Sequence, residues 1–505
     1  MLFSLFKNIG ISAAAFFVIS VIGLLLVPVT IAAYGLTGFG LIVLARLFLP
    51  TAILAVLDFG VGEYATQSVA AARAKFEYRR CGGQLAISLS ASVVSGTLGG
   101  LALFFASAYL SRWLSVPVED QQAFSGVIRL TALVLPVFFA SQVFEGVIKG
   151  FENFAAQRVC EVLVSLAYAA MVLGVISLDW GFETVCYALL ASLLLRASIA
   201  FAFAWWSLRG WKLQFLAWHP ADLADFTMRA RLMFFNKVLG VFQTQAAPTL
   251  IAALLGVTAV GVFDALTRLP RFAKSVLGLL SSTVLPVATK LESVSDKKNM
   301  RRLGQVGFLI LGLLALPPLA ALMVFSKPIL EIWLSGALTH YWYWQAAMFL
   351  IPASSVILGF GSTALIVRPQ AIVVMNRLVF LQTVLQFGLS IALVNLIQER
   401  AFIFGQVAAV AVTFIWQMRL LTLELNTSST VYRRLIFIAL ICLVLSLPSM
   451  FIQQLIDGPV ILGAAMILWT FCAWLSCFAV VLDREQRARL FLFVSAKILS
   501  TRTKR

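Results

Sequence analysis

Residues 9–33 read IGISAAAFFVISVIGLLLVPVTIAA, a run without one charged side chain and without strict alternation. At about 1.5 Å of rise per residue, a helix of this length spans the roughly 30 Å hydrocarbon core of a bilayer. The run is too long for the apolar core of a secretory signal and shows no small-residue cleavage site, so it is expected to stay as a first membrane span. Similar runs recur near 38–58, 82–108, 124–147, 159–178, 183–206, 233–256, 260–288, 303–326, 342–366, 378–397, 402–421, 435–455 and 459–482.

Composition points the same way. Of 505 residues, 61% are hydrophobic and only 12% charged, where a soluble domain carries about a quarter charged. A folded chain still exposes much of its surface, so a soluble protein could not hide this much apolar area. A bilayer accepts it, provided backbone polar groups are satisfied internally, which leaves helices or closed barrels. Long runs without period-two alternation are helices, not barrel strands. The predicted fold class is an all-α polytopic membrane protein of about fourteen transmembrane helices.

The net charge is +17, from 38 Lys and Arg against 21 Asp and Glu. In a soluble protein this would suggest nucleic acid; here it fits the excess of cations that cytoplasmic loops carry, and no nucleic-acid partner is expected. Alternate connections hold Arg73, Lys75, Arg79 and Arg80; Lys149 and Arg158; the 207–237 segment; Lys290, Lys297, Lys298, Arg301 and Arg302; Arg368 and Arg377; Arg419, Arg433 and Arg434; and the basic tail. The intervening loops are short and hold only Arg112, Lys327 and Arg400. A single missed span would scramble this asymmetry, so an even number of spans with both termini cytoplasmic is expected.

An internal repeat is present. Pro28-Val-Thr-Ile31-Ala32-Ala33-Tyr-Gly35-Leu-Thr37-Gly-Phe-Gly40 is echoed by Pro248-Thr-Leu-Ile251-Ala252-Ala253-Leu-Leu-Gly256-Val-Thr258-Ala-Val-Gly261. Each copy falls between the first and second span of its half, and the copies lie six spans apart, so the halves share one orientation. Parallel repeats of this kind are a transporter signature. The expected organisation is a six-helix lobe over 1–206, an interfacial linker over 207–232, a second six-helix lobe over 233–421, two C-terminal helices within 435–482, and a basic cytoplasmic tail over 483–505. Trp205, Trp206, Trp211, Phe215 and Trp218 beside basic residues suit a helix lying along the inner membrane surface.

Several cations fall inside the spans: Arg46, Arg129, Arg196, Arg268, Arg271 and Lys274. A cation near a helix centre costs about 2.5–3.5 kcal/mol on insertion scales, so these side chains are expected to face protein or water. Arg268, Arg271 and Lys274 share one side of their helix, and Asp264 joins it. Arg268 lies roughly 15 Å below the outer end of its span, and Pro270 beside it should loosen the helix. Arg46 holds nearly the same place in the first repeat. A pair of lobes each directing a guanidinium toward a shared axis would form a cationic cavity, and guanidinium suits phosphate oxygens. Asn236, Lys237, Gln243, Thr244, Gln245 and Thr249 around Pro248 offer a polar wall. A blander reading has Asp264 and Arg268 as a buried pair that fixes packing, and Arg129 snorkelling to the interface.

No Walker A, Gly-x-Ser-x-Gly or His-Glu-x-x-His sequence occurs, and no cofactor is expected. Two histidines and six cysteines without ligand spacing give no metal site; the cysteines read as small buried side chains. Gly146-x-x-x-Gly150 reads as helix packing.

Three stretches carry a family likeness: Leu57-Asp58-Phe59-Gly60-Val61-Gly62-Glu63-Tyr64-Ala65-Thr66; Phe144-Glu145-Gly146-Val147-Ile148-Lys149-Gly150-Phe151-Glu152-Asn153-Phe154; and Leu255-Gly256-Val257-Thr258-Ala259-Val260-Gly261-Val262-Phe263, leading to Leu285-Pro286. In order and position they resemble the polysaccharide transport branch of the multidrug/oligosaccharidyl-lipid/polysaccharide exporter superfamily, which includes O-antigen-type flippases. The resemblance implies two six-helix lobes working by alternating access in the cytoplasmic (inner) membrane. It implies translocation of a polyprenyl-diphosphate-linked oligosaccharide for cell-surface polysaccharide biosynthesis, alongside a polysaccharide polymerase and chain-length partners. Such proteins often carry an acidic residue in the seventh span near Gln243–Gln245, and this sequence has none there. Asp58, Glu63, Glu145 and Asp264 are then the candidates for ion coupling or gating. An ion-coupled multidrug antiporter is the alternative, although a cavity for cations would call for more acidic residues. A membrane glycosyltransferase or polymerase is a third reading, with no large loop to carry its catalytic groups.

Overall fold

The computed structural model describes residues 2–481 apart from 50–51, 212, 214–219, 283–287, 289–290, 292–296, 366–368, 426–428, 454–455 and 457. The basic tail 483–505, part of the linker, Lys290, Leu285–Pro286, Arg368 and the Asn236 side chain lie outside the described residues. Among those described there is helix and no strand, as the composition requires.

The helices are α1 (Leu2–Leu47), a 3-10 turn (Ile53–Asp58), α2 (Val61–Lys75), α3 (Tyr78–Trp113), α4 (Gln121–Gly150), α5 (Phe154–Ser177), α6 (Phe182–Leu208), α7 (Pro220–Leu255) and α8 (Val257–Ser282). They continue as α9 (Lys297–Val324), α10 (Ser326–Trp333), α11 (Trp342–Met348), α12 (Leu350–Leu365), α13 (Pro369–Ile397), α14 (Arg400–Leu425), α15 (Ser429–Ile452) and α16 (Pro459–Val481). Ten helices among the described residues are long and apolar enough to cross a membrane. The remaining expected segments are helical too, each with a feature that sets it apart. Segment 38–58 continues the first run through α1 and then breaks after Leu47. Segment 233–256 lies in α7, whose apolar part, Gly240–Leu255, is short. Segment 260–288 lies, up to Ser282, in α8 with its Asp264, Arg268, Arg271 and Lys274. Segment 342–366 is divided between α11 and α12.

The chain forms two compact units, Met1–Ala265 with Ile397–Glu399, and Leu266–Leu396 with Arg400–Arg505. In the first unit, small residues bring helices into backbone contact. A side chain at Gly62 of α2 would lie 2.9 Å from the Gln142 carbonyl of α4, and one at Gly150 would lie 2.6 Å from Val69 Cβ. Gly146 likewise faces the Gly62 carbonyl, so the Gly-x-x-x-Gly spacing serves α4–α2 packing. On α3, Gly96 approaches the Pro136 backbone of α4. Residues 220–232 of the expected linker are the first turns of α7. Buried Asp222 ties them to α3, accepting hydrogen bonds from Arg80 (Nε 2.9 Å, Nη2 2.8 Å) and Gln84 (3.1 Å).

In the second unit, Ala273 and Leu277 of α8 pack with Ala315 and Leu319 of α9 and with Phe349 and Val356. Phe308 of α9 joins Ile438 and Cys442 of α15 and Trp469, Ala473 and Cys477 of α16 in another core. Pro448 deprives α15 of a backbone donor, and Trp469 Nε1 donates to the nearby Leu445 carbonyl at 3.1 Å. Among the cysteines, five are buried and Cys472 is exposed, a departure from the uniform burial expected.

The repeat is structural as well as sequential. Gly35 (φ 66°) breaks α1, and its counterpart Gly256 (φ 89°) separates α7 from α8. Only glycine takes these angles without strain. Beyond the breaks, the two copies cross within the first unit. Thr37 and Thr258, at equivalent positions, share a hydrogen bond of 2.8 Å between their hydroxyls. A Cβ on Gly40 would run into the Val257 carbonyl, and a Cβ on Gly261 into the Leu36 carbonyl. Leu36 and Val257 are themselves equivalent, so the crossing is a local two-fold.

Candidate functional site

Most of the charged candidates of the first unit fall into three sets. Arg46 occupies the last turn of α1, amid the buried Leu44, Ala45 and Leu47. Its Nη2 donates to the Tyr168 hydroxyl of α5 at 2.7 Å, and its guanidinium carbon lies 5.6 Å from that ring's centroid. Buried Asp264 is close enough for its charge to act on Arg46. The hydrogen-bond partner is a neutral phenol, so the guanidinium is oriented while its charge stays available to an anion.

Arg196 of α6 is placed differently. It donates to both oxygens of Glu145 on α4, at 2.6 and 2.8 Å, and lies 4.0 Å from Glu161 on α5. Glu161 is bound in turn by Arg158 at 2.6 Å and by Gln157 at 3.0 Å. Two arginines and two glutamates form a neutral quartet joining three helices. The structure therefore brings Arg196 and Glu145 together as a bidentate pair.

The third set gathers Asp58 and Glu63 around Lys237 of α7. The Lys237 ammonium bonds the Asp58 carboxylate directly and lies 3.7 Å from Glu63. A left-handed turn at Phe59 and Gly60 aims the two carboxylates from either side of the junction between the 3-10 turn and α2. Phe59 stacks on Phe234, centroids 5.5 Å apart, one turn before Lys237. Gln243 and Gln245 are half-buried further along α7. Arg129 is exposed on α4; it donates to Ser107 at 3.1 Å and sits 5.7 Å from the Phe104 ring centroid.

In the second unit, Arg268 is half-buried on α8, Pro270 is buried within the same helix, and Arg271 and Lys274 are exposed.

The sequence reading missed the partners. From sequence, Lys237 is a cation of the 207–237 segment and part of a polar wall, with no carboxylate partner indicated, and Glu161 draws no notice although Gln157, Arg158 and Glu161 stand at helical spacing. Tyr168 carries no signal of its own, being one aromatic in an apolar run.

The family of proteins described as "Polysaccharide biosynthesis protein" matches residues 5–292. That match covers more than half of the chain and takes in all three quoted motifs. The chain belongs to this family. No curated protein matches it in sequence. Among solved structures it is similar to the lipid II flippase MurJ in an inward closed conformation, with a TM-score of 0.70 and 14% identity over 93% of this chain and 98% of that one. It is also similar to an inward-facing multidrug resistance MATE family transporter of the MOP superfamily, with a TM-score of 0.63 and 14% identity over 83% and 96% of the two chains. A MOP superfamily transporter from Pyrococcus furiosus gives a TM-score of 0.51 and 16% identity over 84% and 97%. At such identities the likeness is one of fold, and the shared fold is a multi-pass helical one. The family resemblance and the all-α polytopic fold class expected from sequence are both borne out.

Proposed function

We propose that the protein is a flippase for a polyprenyl-diphosphate-linked oligosaccharide, moving it across the cytoplasmic membrane by alternating access for cell-surface polysaccharide assembly. The reading includes about fourteen spans in two six-helix lobes with two further helices, both termini cytoplasmic, no chemical step on the substrate, and supply of a polymerase and its chain-length partners. Arg46 is the observation that carries it: a guanidinium inside an apolar run, hydrogen-bonded to a phenol and, among the described residues, to no carboxylate. A diphosphate provides an anion that can bond it directly, in a chain whose family is described as polysaccharide biosynthesis proteins. Arg268, Arg271 and Lys274 supply further positive charge on α8. Arg196 serves architecture in this reading.

The test is flipping in proteoliposomes. Wild type should move such a lipid, and Arg46→Ala and Arg268→Ala should each slow it by about 10–100-fold, the worth of one charge-assisted hydrogen bond, with folding retained. A folded wild type that ignores a panel of these lipids but exports cationic drugs against a proton or sodium gradient would establish the antiporter reading instead.

A further inference from the structure

We infer that Lys237 is a headgroup-binding residue held in reserve, released from Asp58 and Glu63 when the anionic diphosphate of the substrate takes their place. The inference rests on the flippase reading and extends it to a residue and an exchange that the reading does not include.

The geometry begins with the trio itself. One ammonium is shared by two carboxylates, bonded to Asp58 and 3.7 Å from Glu63. The trio has excess negative charge, so an anion reaches Lys237 only by displacing a carboxylate. The trio is also open to displacement. The Glu63 side chain is 52% exposed and that of Lys237 23% exposed, so an incoming ligand has a route to the ammonium that a sealed core pair would deny it. The α7 surface beyond Lys237 is uncrowded. Gly240 and Thr244 follow on the same face, both exposed, and nothing lies within 4 Å of where a Gly240 side chain would project. Val238 and Phe242 form a separate exposed apolar face, which suits lipid and leaves the Lys237 face for water or substrate. A flexible four-carbon stem lets the ammonium change partners without moving the helix. The Phe59–Phe234 stack holds α7 against the 3-10 turn independently of the charges, so the ion pair can open while the helices stay joined.

The experiment measures binding of inorganic diphosphate, and of geranyl diphosphate, to the purified full-length chain. Asp58→Asn removes the competitor and should raise affinity for both probes by about tenfold, while slowing flipping because the headgroup is held too well. Lys237→Gln should lower affinity by about ten- to a hundredfold, and Lys237→Arg should retain most of it. Glu63→Gln, at the more exposed position, should give a smaller rise of the same sign and serves if Asp58→Asn does not fold. A merely structural pair would lower stability in every variant and raise affinity in none. If wild type binds diphosphate and the folded Asp58, Glu63 and Lys237 variants all bind it equally, the exchange is wrong and the flippase reading stands. If wild type binds neither probe, the anionic headgroup itself is excluded and both fail together.

Discussion

Joining positions 37 and 258 by a disulfide is expected to stop transport completely and reversibly. The Thr37 and Thr258 hydroxyls are 2.8 Å apart, so cysteines there place two sulfurs within a small adjustment of bonding distance. The double variant Thr37→Cys/Thr258→Cys, in a background with the exposed Cys472 replaced by serine, should cross-link under mild oxidant. Both copies lie in the first unit, and in the proposed flippase alternating access is expected to part them. Their crossing is tight but small, one hydrogen bond and two close glycine–carbonyl approaches, which favours a contact made and broken in each cycle. Flipping should therefore fall to background when oxidised and return on reduction. Gly40→Ala or Gly261→Ala drives a methyl into a carbonyl and should lower the cross-linking yield. A cross-linked protein that still flips at the wild-type rate would make the crossing a fixed pivot.

The sequence shows how such a contact could be anticipated in part. Gly35, Thr37 and Gly40 recur as Gly256, Thr258 and Gly261 because each has a backbone or packing duty that other side chains would disturb, and duties of that kind leave a readable pattern. The spans were legible for a similar reason, since lipid forces whole runs to be apolar. The interruptions after Leu47 and at Phe349 were not legible. They depend on how neighbouring helices receive the chain, and an apolar run reads the same whether straight or broken. The span cations were visible one by one because each is costly in a bilayer. Their partners were hidden, because a pairing between α4 and α6, or between the 3-10 turn and α7, is a tertiary fact.

Removal of Arg196 should be among the most damaging single changes. In Arg196→Ala, Glu145 loses both hydrogen bonds while its side chain is only 6% exposed. Leaving one member of a buried pair costs about 3–5 kcal/mol, against a typical total stability of about 5–15 kcal/mol. Glu161 is spared, because Arg158 and Gln157 still hold it. The damage should accordingly be repaired by also removing the stranded charge: Glu145→Gln/Arg196→Gln should regain most of the loss, since two amides satisfy one another without a buried ion. Arg196→Lys should recover less, because a point charge cannot reproduce the two-pronged contact. Thermal unfolding of the purified variants in detergent, with membrane yield beside it, reads this order directly. The decisive comparison is with flipping. A cation that serves the substrate would give a stable Arg196→Ala protein that no longer transports, and the double variant would then be equally inactive. A cation that serves the fold gives an unstable Arg196→Ala protein and a double variant that transports again. The bidentate geometry and the neutral charge of the quartet predict the second outcome, which would leave substrate binding to other cations, Arg46 foremost.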